Sequence, residues 1–273
     1  MRPRTYTILV LALAAFSTVR LETQAASLFT ETFTAGLGGW RGIASTEVLT
    51  NTVSGGNPGG ALSITIPSPG NPGPPITYGI VATNNAFVGD YQEADATLIG
   101  FDIKETSSSN RGASVTIYLF SSTNRYERVL PNLIQNTGVW YRVRLSMLAP
   151  DLGGWTNVVG SYTGFSDALT NVTRLEILLP GLSGGDFDAT RTYLVDNIFL
   201  ARLPEAVSTT ISSGQVVQTW LHLREGEPYR FEGAENPAIG PWSLLDAFVA
   251  TGSVYSPVIT TTNGAAIHRL LTE

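Results

Sequence analysis

The sequence predicts an all-β protein, and three observations carry that prediction. Charged residues make up only 14% of the 273 positions, whereas Gly numbers 28 and Pro 15, a balance that favours strands and turns over solvated helices. Apolar residues recur with period two in many short runs, and no long stretch shows a helical period. Between the runs lie clusters that interrupt a hydrogen-bonded ladder, such as Ser54-Gly55-Gly56-Asn57-Pro58-Gly59-Gly60 and the stretch from Pro67 to Pro75. Strands at this spacing build a sandwich or a barrel.

Taken in order, the chain opens with Arg2 and Arg4, an apolar run from Ile8 to Phe16, and small residues ending at Thr23-Gln24-Ala25. That order is the pattern of a secretory leader cleaved near Ala25, so residues 1–25 are expected to be removed and the mature protein to be secreted, to the extracellular space or cell surface. No later segment approaches the roughly 18 to 20 continuous apolar residues of a spanning helix, so no membrane span is expected. Loss of Arg2, Arg4, Arg20 and Glu22 leaves 13 basic and 21 acidic residues and moves the formal charge from −6 to −8. An acidic chain without a Lys/Arg cluster is poorly suited to phosphate backbones, which excludes nucleic acid as a partner. There is no cysteine, so stability must come from an ordinary core rather than a disulfide framework.

Strands are predicted at Leu28–Thr34, Ala61–Ile66, Ile76–Val81, Thr97–Ile103, Ser114–Phe120, Trp140–Leu145, Arg174–Leu179 and Thr192–Leu200. Alternation assigns Ile99, Phe101 and Ile103 to a core face, with Val115, Ile117 and Leu119, then Tyr141, Val143 and Leu145, then Leu175, Ile177 and Leu179. The opposite side of these strands then carries Asp102, Lys104, Thr116, Tyr118, Trp140, Arg142, Arg144, Arg174 and Glu176. Aromatic rings stack on the apolar faces of sugars and planar charged groups bridge hydroxyls, so such a face has the chemistry of a saccharide site. After Leu203-Pro204-Glu205 the chain begins afresh, and residues 207–273 are expected to form a second, small β domain that leans on a neighbour.

Several segments carry a resemblance. Glu31-Thr32-Phe33 leading to Gly36-Leu37-Gly38-Gly39-Trp40, then Gly138-Val139-Trp140, and finally Tyr193-Leu194-Val195-Asp196-Asn197-Ile198-Phe199-Leu200 resemble the opening, middle and closing strands of carbohydrate-binding-module jelly rolls, a lectin-like, galactose-binding type of β-sandwich. Trp155, Phe165 and the run Leu169–Ile177 are similar to exported jelly-roll proteins of planctomycete and verrucomicrobial bacteria. The tail segments Gly226–Glu232, Gly240-Pro241-Trp242, Ala250-Thr251-Gly252 and His268-Arg269-Leu270 resemble a small C-terminal module of that group. The resemblance implies a jelly-roll β-sandwich over residues 27–203, binding to a glycan or cell-surface polymer, and a structural Ca²⁺ held in part by Glu31 and Asp196.

Signals for catalysis are sparse. With no Cys and only His222 and His268, both in the tail, a Cys/His pair is impossible and a Ser/His/Asp set would sit far from the main domain. Gly36-Leu37-Gly38-Gly39 lies between strands with no helix to receive a pyrophosphate, and reads as a turn. Glu93-Ala94-Asp95-Ala96-Thr97-Leu98 resembles the E-x-D-x-x-E strand of laminarinase-like enzymes, but Leu98 stands where the third carboxylate belongs. The expected function is therefore non-catalytic glycan binding or surface adhesion, with Asp102, Tyr118, Trp140, Arg142, Arg144 and Glu176 as ligand-binding candidates and no catalytic residue named. A jelly-roll glycoside hydrolase or polysaccharide lyase and a purely structural matrix protein are the alternatives.

Overall fold

The computed structural model describes residues 27–67, 77–83, 86–107, 113–121, 124–160, 164–179, 190–212, 215–234, 243–260 and 267–272. The leader reading of residues 1–25, the Gly240-Pro241-Trp242 motif, and residues 68–76 of the Pro/Gly stretch lie outside them. Strands β1 (Ser27–Glu31), β2 (Arg41–Gly42), β3 (Val48–Gly56), β4 (Gly59–Ile66), β5 (Tyr78–Ala82), β6 (Leu98–Glu105), β7 (Ala113–Ser121), β8 (Arg125–Ile134) and β9 (Tyr141–Ser146) come first. A short helix α1 (Pro150–Gly153), β10 (Thr156–Val159), α2 (Phe165–Leu169), β11 (Val172–Leu179) and β12 (Arg191–Ala201) complete the sandwich. The first sheet runs β3-β4-β12-β6-β9, with β1 also paired to β12; the second runs β10-β8-β7-β11-β5-β2.

All pairings in both sheets are antiparallel, so one side chain in two can turn inward and the other outward. The inward sets form one core: Leu62, Ile64, Ile99, Phe101, Ile103, Val143, Tyr193, Val195 and Ile198 from the first sheet meet Ile80, Val115, Ile117, Leu175 and Ile177 from the second. Every strand expected from alternation is present. Four others, β2, β3, β8 and β10, were not expected. β3 is an edge strand with no fully buried residue, Leu49 packing on the rim of the core, and β8 carries Pro131 beyond the reach of its partner β10, which pairs with Arg125, Tyr126 and Glu127. Strands of this kind lack period two because only part of their length covers a core.

One irregularity positions the polar groups. The register of β12 against β6 shifts between Asp196 and Phe199, where Asn197 takes a left-handed backbone with φ of 49°, a conformation that Asn tolerates better than most residues. The bulge moves the inward set from Val195 to Ile198 and puts Phe199 on the outer side beside Leu98, Ala201 and Leu203. Gly100 on β6 makes room for it, since a Cβ there would overlap the Phe199 ring.

From Glu205 onward two three-stranded sheets follow: β13 (Glu205–Ser212), β14 (Gln215–Leu221) and β17 (Val258–Thr260), then β15 (Pro228–Ala234), β16 (Ser243–Val249) and β18 (Ile267–Thr272). They enclose a core of their own, built from Trp220, Leu223, Tyr229, Phe231 and Ala250 with Phe248, Tyr255 and Leu270 packed on it. Phe248 stacks on Tyr255 with ring centroids 4.0 Å apart, so these aromatic residues serve packing.

Candidate functional site

The sandwich has two outer faces, and the residues expected to share one are divided between them. β6 and β9 belong to the first sheet, β7 and β11 to the second. Asp102, Lys104, Trp140, Arg142 and Arg144 therefore lie on or beside the first sheet, while Thr116, Tyr118, Arg174 and Glu176 lie on the far side of the molecule. Alternation decides inward against outward within a strand but carries no information about which sheet the strand joins.

The first outer face is where the tail docks. Asp102 is 2% exposed and accepts a hydrogen bond from Arg144 Nη1 at 3.2 Å. The carboxylate of Glu227 in the tail accepts from Arg144 Nε at 3.1 Å, from Arg224 at 3.0 Å and from Arg142 at 3.4 Å, with a further close contact to Arg144 Nη2. The guanidinium of Arg224 lies 3.4 Å from the centre of the Phe199 ring, with that of Arg144 at 4.7 Å. Burial, and then the like charge of Arg144, lowers the pKa of Arg224 to about 10 against the attraction of Glu227. Arg144 thus holds the tail with Asp102 paired behind it, while Arg142 reaches Glu227 from an exposed position. Trp140 is half-buried and covered by the ammonium of Lys104, 4.5 Å from its ring centre.

Asp196 lies next to this network, with Glu31 near enough to act on its charge. Asp196 is fully buried; its Oδ2 accepts from the Asn57 N–H at 2.6 Å and its Oδ1 from the Asn197 N–H at 2.7 Å. Burial pushes its carboxyl up to about 6; the two N–H bonds oppose the rise, and the neighbouring Asp102 and Glu31 carboxylates add to it. Glu31 Oε1 accepts from the Phe33 N–H at 2.9 Å. Among the described residues no three His, Cys, Asp or Glu side chains converge on a metal position, so a cation here would take two carboxylates from side chains and its other oxygens from the backbone. Asp196 is buried while Glu31 is partly exposed, and a hard cation beside them would relieve the repulsion that raises the Asp196 carboxyl.

The outer face of the second sheet carries the other candidates in register. Arg41, Val81, Glu176, Tyr118, Glu127 and Thr156 form one row across all six strands. The next row holds Arg174, Phe120 and Arg125. The rings of Tyr118 and Phe120 lie 5.9 Å apart. The guanidinium of Arg125 sits 4.8 Å from the first and 5.9 Å from the second, and that of Arg174 sits 5.1 Å from Phe120. Arg174 also pairs with Glu176, whose carboxyl is raised by burial against the pull of that guanidinium. The Tyr118 hydroxyl donates to Glu127; burial and that acceptor raise its pKa. Phe120, Arg125, Glu127 and Arg41 were not singled out from sequence. Phe120 ends an expected strand and could have been, whereas Arg125 and Glu127 sit on the unanticipated β8.

Glu93 and Asp95, weighed as a carboxylate pair, fall in the turn before β6, where Asp95 pairs with Arg202 at 2.7 Å. A pocket of about 140 Å³ between sandwich and tail includes Asp95, Arg202, Glu205 and His222, and His222 Nε2 lies 3.3 Å from Glu205.

No known protein family matches the sequence, and no curated protein matches it. Among solved structures, the chain is similar to a β-1,2-glucanase from Parabacteroides distasonis, with 16% identity, 91% of this chain and 36% of that one covered, and a TM-score of 0.38. It is similar to an exo-β-agarase with 14% identity, 64% of this chain and 25% of that one covered, and a TM-score of 0.44. It is also similar to the family 11 carbohydrate-binding module of Clostridium thermocellum, with 15% identity, 64% and 97% covered, and a TM-score of 0.41. The chain spans about a third of the length of the glucanase and a quarter of that of the agarase.

Proposed function

We propose that this chain is an exported, non-catalytic polysaccharide-binding protein whose ligand lies along the outer face of the second sheet. The observation that supports this reading is the cluster of planar groups there, Tyr118, Phe120, Arg125 and Arg174, set on a six-stranded sheet. Among the described residues, the hydrogen bonds and ion pairs of the tail with the sandwich go to Arg142 and Arg144 on the other face. Guanidiniums carried over aromatic rings at the spacing of adjacent strands offer planar sets of N–H donors to the oxygens along a sugar chain. The hydroxyl of Tyr118 is bonded to Glu127 and the carboxyl of Glu176 is paired with Arg174, which suits positioning better than proton transfer. The reading includes a Ca²⁺ between Glu31 and Asp196 that stiffens the junction of β1 and β12.

The test is retention of the mature chain on gels containing single polysaccharides, followed by an assay for new reducing or unsaturated chain ends. Retention without cleavage is expected. Cleavage would overturn the non-catalytic part of the reading, and failure to be retained by any polysaccharide would overturn the whole.

A further inference from the structure

We infer that the polysaccharide recognised by the second sheet is an anionic one, carrying carboxylate or sulfate groups; the inference rests on the glycan-binding reading above. An aromatic ring that stacks on a sugar must be bare, and Tyr118 and Phe120 are not. Arg125 lies over both rings and Arg174 over Phe120. What the face offers to a ligand is two guanidiniums carried over aromatic rings, that of Arg174 also paired with Glu176. A guanidinium supported by a ring has planar, paired N–H donors of the geometry that matches carboxylate and sulfate oxygens, and loses little freedom on binding.

The charge count points the same way. Among the described residues this face carries Arg41, Arg125 and Arg174 against Glu127 and Glu176, a local excess of positive charge in a chain of formal charge −6. Both carboxylates are already engaged, Glu127 by the Tyr118 hydroxyl and Glu176 by Arg174. Arg125 makes no ion pair among the described residues, and its Nε is buried without a hydrogen-bond partner. Among the described residues Arg41 donates to Thr83, at 2.7 Å. Thr83 follows Ala82, the partner of Leu175, so this bond turns Arg41 toward the row that holds Arg174 and Arg125. From β8 to β2 the face crosses four strand intervals, about 19 Å at the usual interstrand spacing. It is long enough for an oligosaccharide bearing several anionic groups.

The experiment measures binding of the full mature chain to polygalacturonate, to carrageenan and to the neutral glucan laminarin, each at low and high ionic strength. Affinity for at least one of the two polyanions is expected to exceed that for laminarin roughly tenfold or more and to fall with salt; which polyanion leads tells carboxylate from sulfate. Arg125→Gln should remove most of that preference, and Arg41→Gln, an exposed edge position, should reduce it with the melting temperature unchanged. Arg230→Gln in the tail should not alter it. Laminarin binding equal to or tighter than both polyanions would overturn the anionic inference while leaving glycan binding in place. A preference that survives both Arg125→Gln and Arg41→Gln would also overturn it. Binding to none of the three, nor to any other polysaccharide, would instead overturn the glycan-binding reading itself.

Discussion

Replacing Glu227 by Gln tests how strongly the tail is held to the sandwich. Its carboxylate is the anion shared by Arg142, Arg144 and Arg224, and the side chains of Glu227, Arg144 and Arg224 are 9%, 11% and 12% exposed. In the variant, three guanidiniums face Asp102 alone. Removing one partner of a buried pair costs about 3 to 5 kcal/mol. The lower end applies here, because Asp102 still compensates Arg144 at 3.2 Å and Arg142 is 37% exposed. A loss of about 3 kcal/mol in a chain of this size lowers the melting temperature by roughly 6 to 12 °C if both parts unfold together. Scanning calorimetry on Glu227→Gln, with Arg230→Gln as the comparison, measures it; the Arg230–Glu232 pair leaves Arg230 44% exposed and should contribute under about 1 kcal/mol. Resolution into two transitions, the tail melting first, is the form the loss should take if docking is what fails. A shift no larger than that of Arg230→Gln would refute the idea that Glu227 ties the tail down.

Tyr118→Ala should weaken polysaccharide binding by about 1 to 2 kcal/mol, because it removes one of the two rings that support Arg125; isothermal titration reads the change, and Trp140→Ala, on the other side of the molecule, should leave affinity as it was. A chelator should lower the melting temperature of protein loaded with Ca²⁺, and the difference should vanish in Glu31→Gln; a cation at a hundred times its Kd contributes about 2.7 kcal/mol. In chelated protein the pH dependence follows from Asp196, whose carboxyl is raised from 3.8 to about 6. The folded state then binds the extra proton, so this group's contribution is complete below about pH 4 and is lost as pH rises through about 6, some 3 kcal/mol in total. Glu47 and Glu176 are raised as well, so the quantity to measure by urea unfolding is the difference between the native chain and Asp196→Asn; parallel pH curves would refute the assignment.

The inward-facing residues of β6, β7, β9 and β11 could be read from the chain because burial of one face imposes period two, and each strand records it locally. Phe199 and Asp196 were harder, since the bulge at Asn197 reverses the alternation and is settled by what packs on either side. β8 escaped notice because its pairing with β10 ends before Pro131, leaving half the strand without the constraint that makes a pattern. What sequence could not supply was the partition of outward residues between two faces. Tyr118 and Arg144 have the same local signature, a polar or aromatic residue between two core positions. Only the pairing of β7 with β11 and of β6 with β12 sets them on opposite sides of the molecule. Nor is there any local sign in Arg144 that its counter-charge lies 83 residues away at Glu227. Alternation is enforced by neighbours along the chain, whereas sheet membership and docking are chosen by surfaces that meet only after folding.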